Sequence, residues 1–191
     1  FLIMFKLEDG RNKYFELDEH NELEGKKIER YLTECMTIGF NSRMYDIPMI
    51  EYALRGASNK ALKILSDRLV SAEEKTYDIL NETKLWTPRH YNHIDIFNVL
   101  PGRASLKMYG ARLHAPFLQD LPYDPSKPVM EEQKAELKKY CSNDIDLTIE
   151  LYNSLEKSLE IRNNINNEYG IEVRSKGDAG IAEILMLKSL G

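Results

Sequence analysis

One helical segment of the chain places an aspartate where its pattern would otherwise put an apolar side chain. Residues 138–152, KKYCSNDIDLTIELY, belong to an amphipathic pattern with this apolar stripe: Leu137, Cys141, Thr148, Leu151, Leu155 and Leu159. Asp144 lies on the stripe, whereas Asp146, at about 100° per residue, points roughly the opposite way, towards solvent. A buried, unpaired carboxylate costs on the order of several kcal/mol. Asp144 therefore needs a partner, which would be an arginine, backbone donors or a metal ion.

Tyr140 precedes Asp144 by one helical turn, so the two side chains share a face of the helix. A phenol beside a carboxylate that binds a metal ion is well suited to positioning a water molecule. The same pattern also fits an Asp144 that pairs with a lysine or arginine, or that marks the edge of the helix near water. Periodicity alone leaves these alternatives open.

A second carboxylate, Asp46, lies at a predicted strand-to-helix junction. In residues 37–50, TIGFNSRMYDIPMI, a buried strand ends at Phe40, polar residues follow, and Asp46 precedes a helix whose first turn would contain Pro48. An aspartate at this place serves either as a helix cap or as a carboxylate that faces a cleft. In the second interpretation Asn41 is a nearby polar contact.

Strands and helices alternate around these two segments. Strands are predicted at 1–7 and 13–17, which form a hairpin, and at 36–40 and 92–100. Helices are predicted at 23–35, 48–54, 61–72, 73–80, 105–109, 130–161 and 181–189. The segment 130–161 is one helix or two in sequence, and residues 163–167 end it. Gly102 and Gly110 are predicted to be turn residues. The predicted fold class is α/β, with a mixed sheet flanked by helices.

The composition excludes several classes of protein. A net charge of −5 argues against a surface that binds nucleic acid over its whole extent, although clustered carboxylates suit metal ions that meet a nucleic acid end. No apolar run approaches the ~20 residues that span a bilayer. Cys35 and Cys141 are predicted to be buried thiols of a cytoplasmic protein. The four histidines show no metal-ligand spacing, and only His93 lies on a predicted strand.

Taken in order, these segments resemble the motifs of a nuclease family. GFNSRMYDIPMI, residues 39–50, resembles the second motif of the DEDD-type 3′–5′ exonucleases, an asparagine followed by an aromatic–aspartate pair. YCSND, residues 140–144, resembles their third motif in its tyrosine form. Between them, HIDIFNVL at 93–100 and SLKMYGARL at 105–113 resemble segments of the proofreading domains of family B-like DNA polymerases, in particular those of phages. The resemblance covers roughly residues 1–155.

The resemblance implies a ribonuclease-H-like fold in which four carboxylates hold two divalent cations, Mg²⁺ or Mn²⁺. Asp46 and Asp144 would be metal ligands, and Tyr140 would position the attacking water, so these three residues would be catalytic. The chemistry is consistent with the residue types, because two cations about 3.5–4 Å apart activate a water and stabilise the leaving oxygen. Hard cations of this kind prefer oxygen ligands.

The resemblance also implies residues that contact or support the substrate site. Asn41, Arg43 and Tyr45 would contact the nucleic acid, Arg43 from a loop at a strand end and Tyr45 by stacking on a terminal base. Asp95 has a counterpart position in the family. We assign it a supporting role, because an aspartate on a strand can also bond nearby backbone.

The implied function is a 3′–5′ exodeoxyribonuclease that proofreads during DNA replication. Its partners would be the 3′ end of single-stranded DNA and a polymerase domain in the same longer chain, in the cytoplasm, or the host cytoplasm for a phage protein, with no membrane partner. Residues 1–160 would form the exonuclease domain. Residues 161–191 would form a connector and the start of a following segment, for which a polymerase domain is one interpretation.

The chain departs from the family at one motif. The first motif is Asp-x-Glu on the first strand, and this sequence contains no Asp-x-Glu. We expect the first strand to lie upstream of Phe1, so that this fragment has two of the four ligands and is inactive by itself if they are required. The alternatives are a catalytically silent module of the same fold, which binds DNA or joins domains, a free-standing RNA exonuclease, and a plain α/β domain in which Asp46 caps a helix and Asp144 forms an ion pair.

Overall fold

The computed structural model describes residues 1–190, which form an α/β chain of four strands, eight α-helices and one short 3₁₀ helix. In chain order the elements are β1 (Leu2–Lys6), β2 (Asn12–Glu16), α1 (Gly25–Glu34), β3 (Thr37–Gly39), α2 (Asp46–Leu54), α3 (Asn59–Val70), α4 (Thr76–Thr83), β4 (His93–Asp95), α5 (Leu106–Arg112), the 3₁₀ helix (Glu131–Gln133), α6 (Lys134–Ser154), α7 (Glu156–Tyr169) and α8 (Asp178–Leu190). Within these residues no helix is both long and apolar enough to cross a membrane.

The chain divides into two compact units. Unit 1 comprises Phe1–Thr37 and Asn41–His93, and unit 2 comprises Ile38–Phe40 and the described residues from Ile94 onward. The predicted boundary at residue 160 stays a prediction.

The N-terminal hairpin of unit 1 is confirmed. β1 and β2 pair antiparallel, with Ile3 opposite Phe15. Both side chains are buried and pack against Ile28 and Leu32 of α1. Alternation places these two residues on the same face of the pair, so the apolar face of the hairpin meets the apolar stripe of the helix. A second apolar cluster in unit 1 joins α2, α3 and α4. The sequence predicts these three helices.

The strands β3 and β4 form a separate two-stranded sheet, so the prediction of one mixed sheet is not met within residues 1–190. β4 is three residues long, although the apolar run predicts a strand from 92 to 100. The strand ends because the Asp95 carboxylate accepts a hydrogen bond from the Phe97 N–H at 3.0 Å, which turns the chain. The N–H groups of Val99 and Leu100 then both bond the Ile96 carbonyl in further turns.

In unit 2, α5 and α6 approach closely at a glycine. A side-chain carbon at Gly110 would lie 2.7 Å from the Leu147 methyl groups, so only a glycine allows Leu147 to pack here without rearrangement. Gly110 is therefore a helical packing residue, and its interpretation as a turn residue is wrong. The buried residues of α6, Leu147 and Leu151, are followed by Leu155 and Leu159 on the same stripe.

Two other predictions need correction. α7 runs through Asn163–Asn167, where the helix was predicted to end, and it ends at Gly170 in the left-handed conformation that glycine adopts readily. Cys35 is exposed and Cys141 is partly exposed, so these cysteines are not both core thiols. Cys35 directly follows the last residue of α1, which places it outside the buried face of that helix.

The packing of α6 generates a stability prediction. Leu151 is 1% exposed within the unit 2 core, whereas Ile149 on the same helix is 39% exposed. Leu151→Ala should lower the free energy of unfolding by about 2–5 kcal/mol, because it removes apolar contacts and leaves a cavity. Ile149→Ala, the matched control, should cost less than about 1 kcal/mol. Urea unfolding of both variants checks this, and equal losses would contradict the assignment of the core.

Candidate functional site

Tyr140 and Asp144 lie together on α6, as their spacing predicts. Both side chains are partly buried, and the Tyr140 hydroxyl is hydrogen-bonded to the Asp144 carboxylate. The main-chain carbonyl of Asp144 also accepts a hydrogen bond from the Thr148 hydroxyl at 2.9 Å. Asp146 is partly buried as well, so the expectation that it faces solvent holds only in part.

A lysine on α5 completes this cluster in unit 2. The Lys107 ammonium lies 5.8 Å from the centre of the Tyr140 ring, a cation–π distance. It also donates a hydrogen bond of 2.7 Å to Asp120 in the loop that follows α5. The close approach of α5 to α6 at Gly110 places the lysine near the tyrosine. Lys107 was not predicted to belong to this cluster, because nothing in the sequence pattern connects it with residues more than thirty positions away.

Burial changes the acidity of both members of the pair. Burial, and then the neighbouring negative charge of Asp144, raise the pKa of Tyr140 above its usual range, so the phenol stays protonated at neutral pH. Burial also raises the pKa of Asp144, although the hydrogen bond from Tyr140 and the charge of Lys107 act in the opposite direction. The ionised carboxylate is therefore less stable here than in water, and an additional cation would stabilise it.

Asp46 is the first residue of α2 in unit 1 and is exposed. The residue at the cap position is Tyr45, whose side chain makes no capping hydrogen bond, so the interpretation of Asp46 as the cap itself is wrong. An aspartate in the first turn still interacts favourably with the positive end of the helix dipole. Its place at a strand-to-helix junction agrees with the sequence analysis.

The turn before Asp46 carries the predicted substrate-contacting residues. Asn41 has a φ of 54°, in the left-handed region that asparagine tolerates better than most residues. Arg43 donates a hydrogen bond of 3.0 Å from Nη2 to the His93 carbonyl. The Tyr45 hydroxyl is hydrogen-bonded to Ser66 of α3 at 2.7 Å, and its ring packs against the α2–α4 core. These contacts anchor the turn, and substrate binding by its side chains stays a prediction.

His93 is a buried residue of unit 1 whose two ring nitrogens are both hydrogen-bonded. Nδ1 lies 2.9 Å from the Thr37 hydroxyl, and Nε2 lies 2.7 Å from the Ser42 hydroxyl. Burial, together with the charge of Arg43, lowers the pKa of His93 to about 4. The imidazole is therefore neutral at physiological pH. The sequence pattern distinguishes His93 from the other histidines, but it does not indicate the partner Ser42, which is 51 residues away.

Asp95 lies at the end of β4 in unit 2 and is buried. Its carboxylate bonds the Phe97 N–H, and its own N–H donates a hydrogen bond of 3.0 Å to the Ser175 hydroxyl. The first contact is a bond to nearby backbone, which is what the sequence predicts as the alternative role of an aspartate on a strand. The second links β4 to the connector before α8, a contact that the sequence did not indicate.

The structure thus joins Tyr140 with Asp144, and it places Asn41, Arg43, Tyr45 and Asp46 on one continuous turn. Asp46 and Asp144 belong to different units, and each is described within its own unit. Among residues 1–190 no group of three or more histidine, cysteine, aspartate or glutamate side chains is arranged to hold a metal ion.

Comparison of the chain with protein-family models, curated proteins and solved structures finds no match.

The buried histidine generates a prediction about pH. A folded-state pKa of about 4, against about 6.5 in the unfolded chain, means that the unfolded state binds the proton first as the pH falls. The stability that neutral His93 contributes is present above pH 6.5 and is lost towards pH 4. By pH 4.5 this loss should reach roughly 2–3 kcal/mol.

Urea unfolding at pH 7.5 and pH 4.5 measures this loss. The wild type should lose roughly 2–3 kcal/mol more than His93→Gln between the two values. His20→Gln, which replaces an exposed histidine of unit 1, is the control and should follow the wild type. An equal pH dependence of His93→Gln and the wild type would show that His93 is not the responsible group.

The buried carboxylate generates a prediction of opposite sign. Because the folded-state pKa of Asp144 is raised, its ionisation destabilises the fold as the pH rises from the unfolded-state value. Asp144→Asn should therefore increase the free energy of unfolding at pH 7.5 in EDTA, and the gain should disappear near pH 3. Asp146→Asn provides the same change in net charge on the same helix. An equal gain from both variants would point to net charge rather than to burial of Asp144.

Proposed function

We propose that this chain is the 3′–5′ exonuclease domain of a DNA polymerase, with a ribonuclease-H-like fold and a proofreading role. The single observation that carries the proposal is the hydrogen-bonded pair of Tyr140 and Asp144 on α6. The phenol and the carboxylate have the spacing of the tyrosine-form third motif. The turn after β3 also supports the proposal. It carries Asn41 and leads to Asp46, which match the second motif, and this motif precedes the third in the chain, as in the family.

The neutral phenol defines the role of Tyr140. A phenol is ordinarily protonated at neutral pH, and the raised pKa of Tyr140 favours this form further, so the side chain would act through hydrogen bonds and not as a general base. Its O–H donates to Asp144, and its oxygen lone pairs can accept a hydrogen bond from a water molecule. Tyr140 would therefore orient the attacking water, and Asp144 would hold the phenol in place.

Asp46 and Asp144 are the two carboxylates proposed as metal ligands, and each is described within its own unit. Mg²⁺ is commonly held by one or two carboxylates together with waters and substrate phosphates. The two cations that the resemblance implies would need further carboxylates, which Asp-x-Glu supplies in the family and this sequence does not contain. When bound, divalent cations lower the pKa of a bound water and stabilise the charge on the leaving oxygen.

The proposed reaction is the hydrolysis of the terminal phosphodiester bond. The water oxygen forms a bond to phosphorus, and the bond from phosphorus to the 3′ oxygen of the preceding nucleotide breaks. The water loses a proton, and the leaving 3′ oxygen gains one. The products are a nucleoside 5′-monophosphate and a strand one nucleotide shorter with a free 3′ hydroxyl.

Residues on the turn before α2 would bind the substrate. The Arg43 guanidinium carries five N–H donors, which suits it to a phosphate oxygen as well as to the His93 carbonyl. Asn41 would contact the terminal nucleotide. Tyr45 would stack on a base with the exposed part of its ring, while its hydroxyl stays bonded to Ser66.

A second candidate function is a catalytically silent module that binds the 3′ end of DNA without cutting it. One observation favours it: the sequence contains no Asp-x-Glu, the motif that supplies two of the four carboxylates in the family. A free-standing RNA exonuclease shares the chemistry of the first proposal and differs only in its substrate.

The test is trimming of a 5′-labelled single-stranded DNA oligonucleotide by the chain with Mn²⁺, with EDTA as the metal-free control. The wild type should shorten the DNA stepwise from its 3′ end. Asp144→Ala should reduce the rate by about 10²-fold or more, because the carboxylate that holds the phenol and the cation is lost. Tyr140→Phe should reduce it by roughly 10²-fold through loss of water positioning. Asp146→Ala, on the same helix, should retain most of the activity.

The outcomes separate the candidates. Equal activity of wild type and Asp144→Ala would contradict the proposed site. If the wild type binds the oligonucleotide but does not shorten it, the silent module is supported. Faster trimming of an RNA oligonucleotide of the same sequence would support the RNA exonuclease.

A further inference from the structure

His93 holds two consecutive residues of the turn that leads into α2. Its Nε2 lies 2.7 Å from the Ser42 hydroxyl, and its carbonyl accepts the 3.0 Å hydrogen bond from Arg43. On the other side, Nδ1 lies 2.9 Å from the Thr37 hydroxyl at the start of β3. One buried side chain therefore connects the beginning of a strand with the turn that carries the candidate site residues.

Ser42 also connects the turn to α2. Its main-chain carbonyl accepts hydrogen bonds from the N–H of Tyr45 at 3.4 Å and from the N–H of Ile47 at 2.8 Å. These two N–H groups flank Asp46 in the sequence. The position of the Ser42 backbone thus sets the position of the first turn of α2.

We propose that His93 is a positioning residue that fixes the turn 41–46, so that Arg43 and Asp46 are held ready for a phosphodiester substrate. The nature of the substrate rests on the proposed function. The positioning role itself rests only on the hydrogen bonds in this structure. His93 acts through Ser42 and Arg43 and need not touch the substrate itself.

The shape of the side chain explains why a histidine is suited to this role. The imidazole is a rigid ring with a hydrogen-bonding nitrogen on each side, and hydroxyl groups can donate or accept as the tautomer requires. An apolar side chain would remove the imidazole partner of the buried Ser42 hydroxyl. The partly buried Thr37 hydroxyl would keep the Asn92 carbonyl, 3.4 Å away, as an acceptor. A glutamine has one amide group on a flexible stem, so it can replace one of the two bonds more readily than both.

A matched pair of variants separates positioning from general stability. Ser42→Ala removes the hydroxyl on the turn side of His93, whereas Thr37→Val removes the hydroxyl on the strand side with little change of shape. His93→Gln is the conservative replacement of the ring. None of the three replaces a residue proposed to bind metal or substrate.

The first measurement is amide hydrogen exchange of residues 41–47, with the hairpin amides of β1 and β2 reporting global opening. Ser42→Ala should speed exchange of the Tyr45 and Ile47 amides at least 10-fold relative to wild type, while the hairpin changes less. Thr37→Val should leave the turn within about 2-fold of wild type, and His93→Gln should be intermediate. The estimates follow from local opening of a single hydrogen-bonded unit.

The second measurement is the exonuclease assay with the same proteins at saturating and limiting oligonucleotide. Ser42→Ala should lower kcat/KM by roughly 10-fold or more through misplacement of Arg43 and Asp46, and Thr37→Val should retain the wild-type value. His93→Gln should restore part of the activity that His93→Leu loses.

Two results would overturn the positioning role. In the first, the amides of the turn exchange at the wild-type rate in Ser42→Ala. In the second, Ser42→Ala and Thr37→Val change the exchange rates of the turn and of the hairpin equally. Wild-type protein that shows no nuclease activity would overturn the proposed function instead. In that case the exchange data would still decide whether His93 fixes the turn, so the two failures are distinguishable.

Discussion

The way in which the chain leaves two very short strands depends on buried polar side chains at the strand ends. β3 and β4 have three residues each, so few main-chain bonds hold them, and side chains supply the rest. In unit 1 the buried His93 ring and the buried Ser42 hydroxyl are hydrogen-bonded to each other. In unit 2 the main-chain N–H of the buried Asp95 donates a hydrogen bond to the buried Ser175 hydroxyl. Because buried polar groups must be bonded, these contacts determine how the chain leaves each strand.

The connector between α7 and α8 is part of this arrangement in unit 2. The buried Arg162 guanidinium donates hydrogen bonds to the carbonyls of Ser158 and Lys176 and to the exposed Asp178 carboxylate. The bonds to Lys176 and Asp178 hold the chain just after Ser175, whose hydroxyl accepts a hydrogen bond from the Asp95 N–H. A segment that reads as a polar linker in the sequence therefore supports the turn after β4.

The sequence predicts well whatever follows from local periodicity, and poorly whatever depends on distant partners. The hairpin and the helices follow from alternation and helical spacing, and Tyr140 meets Asp144 because both lie on one helix face. The length of β4 could not be predicted, since an apolar run does not reveal that Asp95 will bond the Phe97 N–H. Gly110 looks like a turn residue until the Leu147 side chain from another helix is placed against it.

The two candidate metal ligands differ in how much they would gain from a cation. Asp46 is exposed at the start of α2, where water and the helix dipole already stabilise its charge. Asp144 is partly buried, and the hydrogen bond from Tyr140 and the charge of Lys107 do not fully offset that burial. A cation would therefore stabilise Asp144 more than Asp46, and under the proposed function cation binding would be coupled to the stability of unit 2 mainly through Asp144. The same burial raises the pKa of both groups, so it disfavours the ionised carboxylate of Asp144 and favours the neutral phenol of Tyr140.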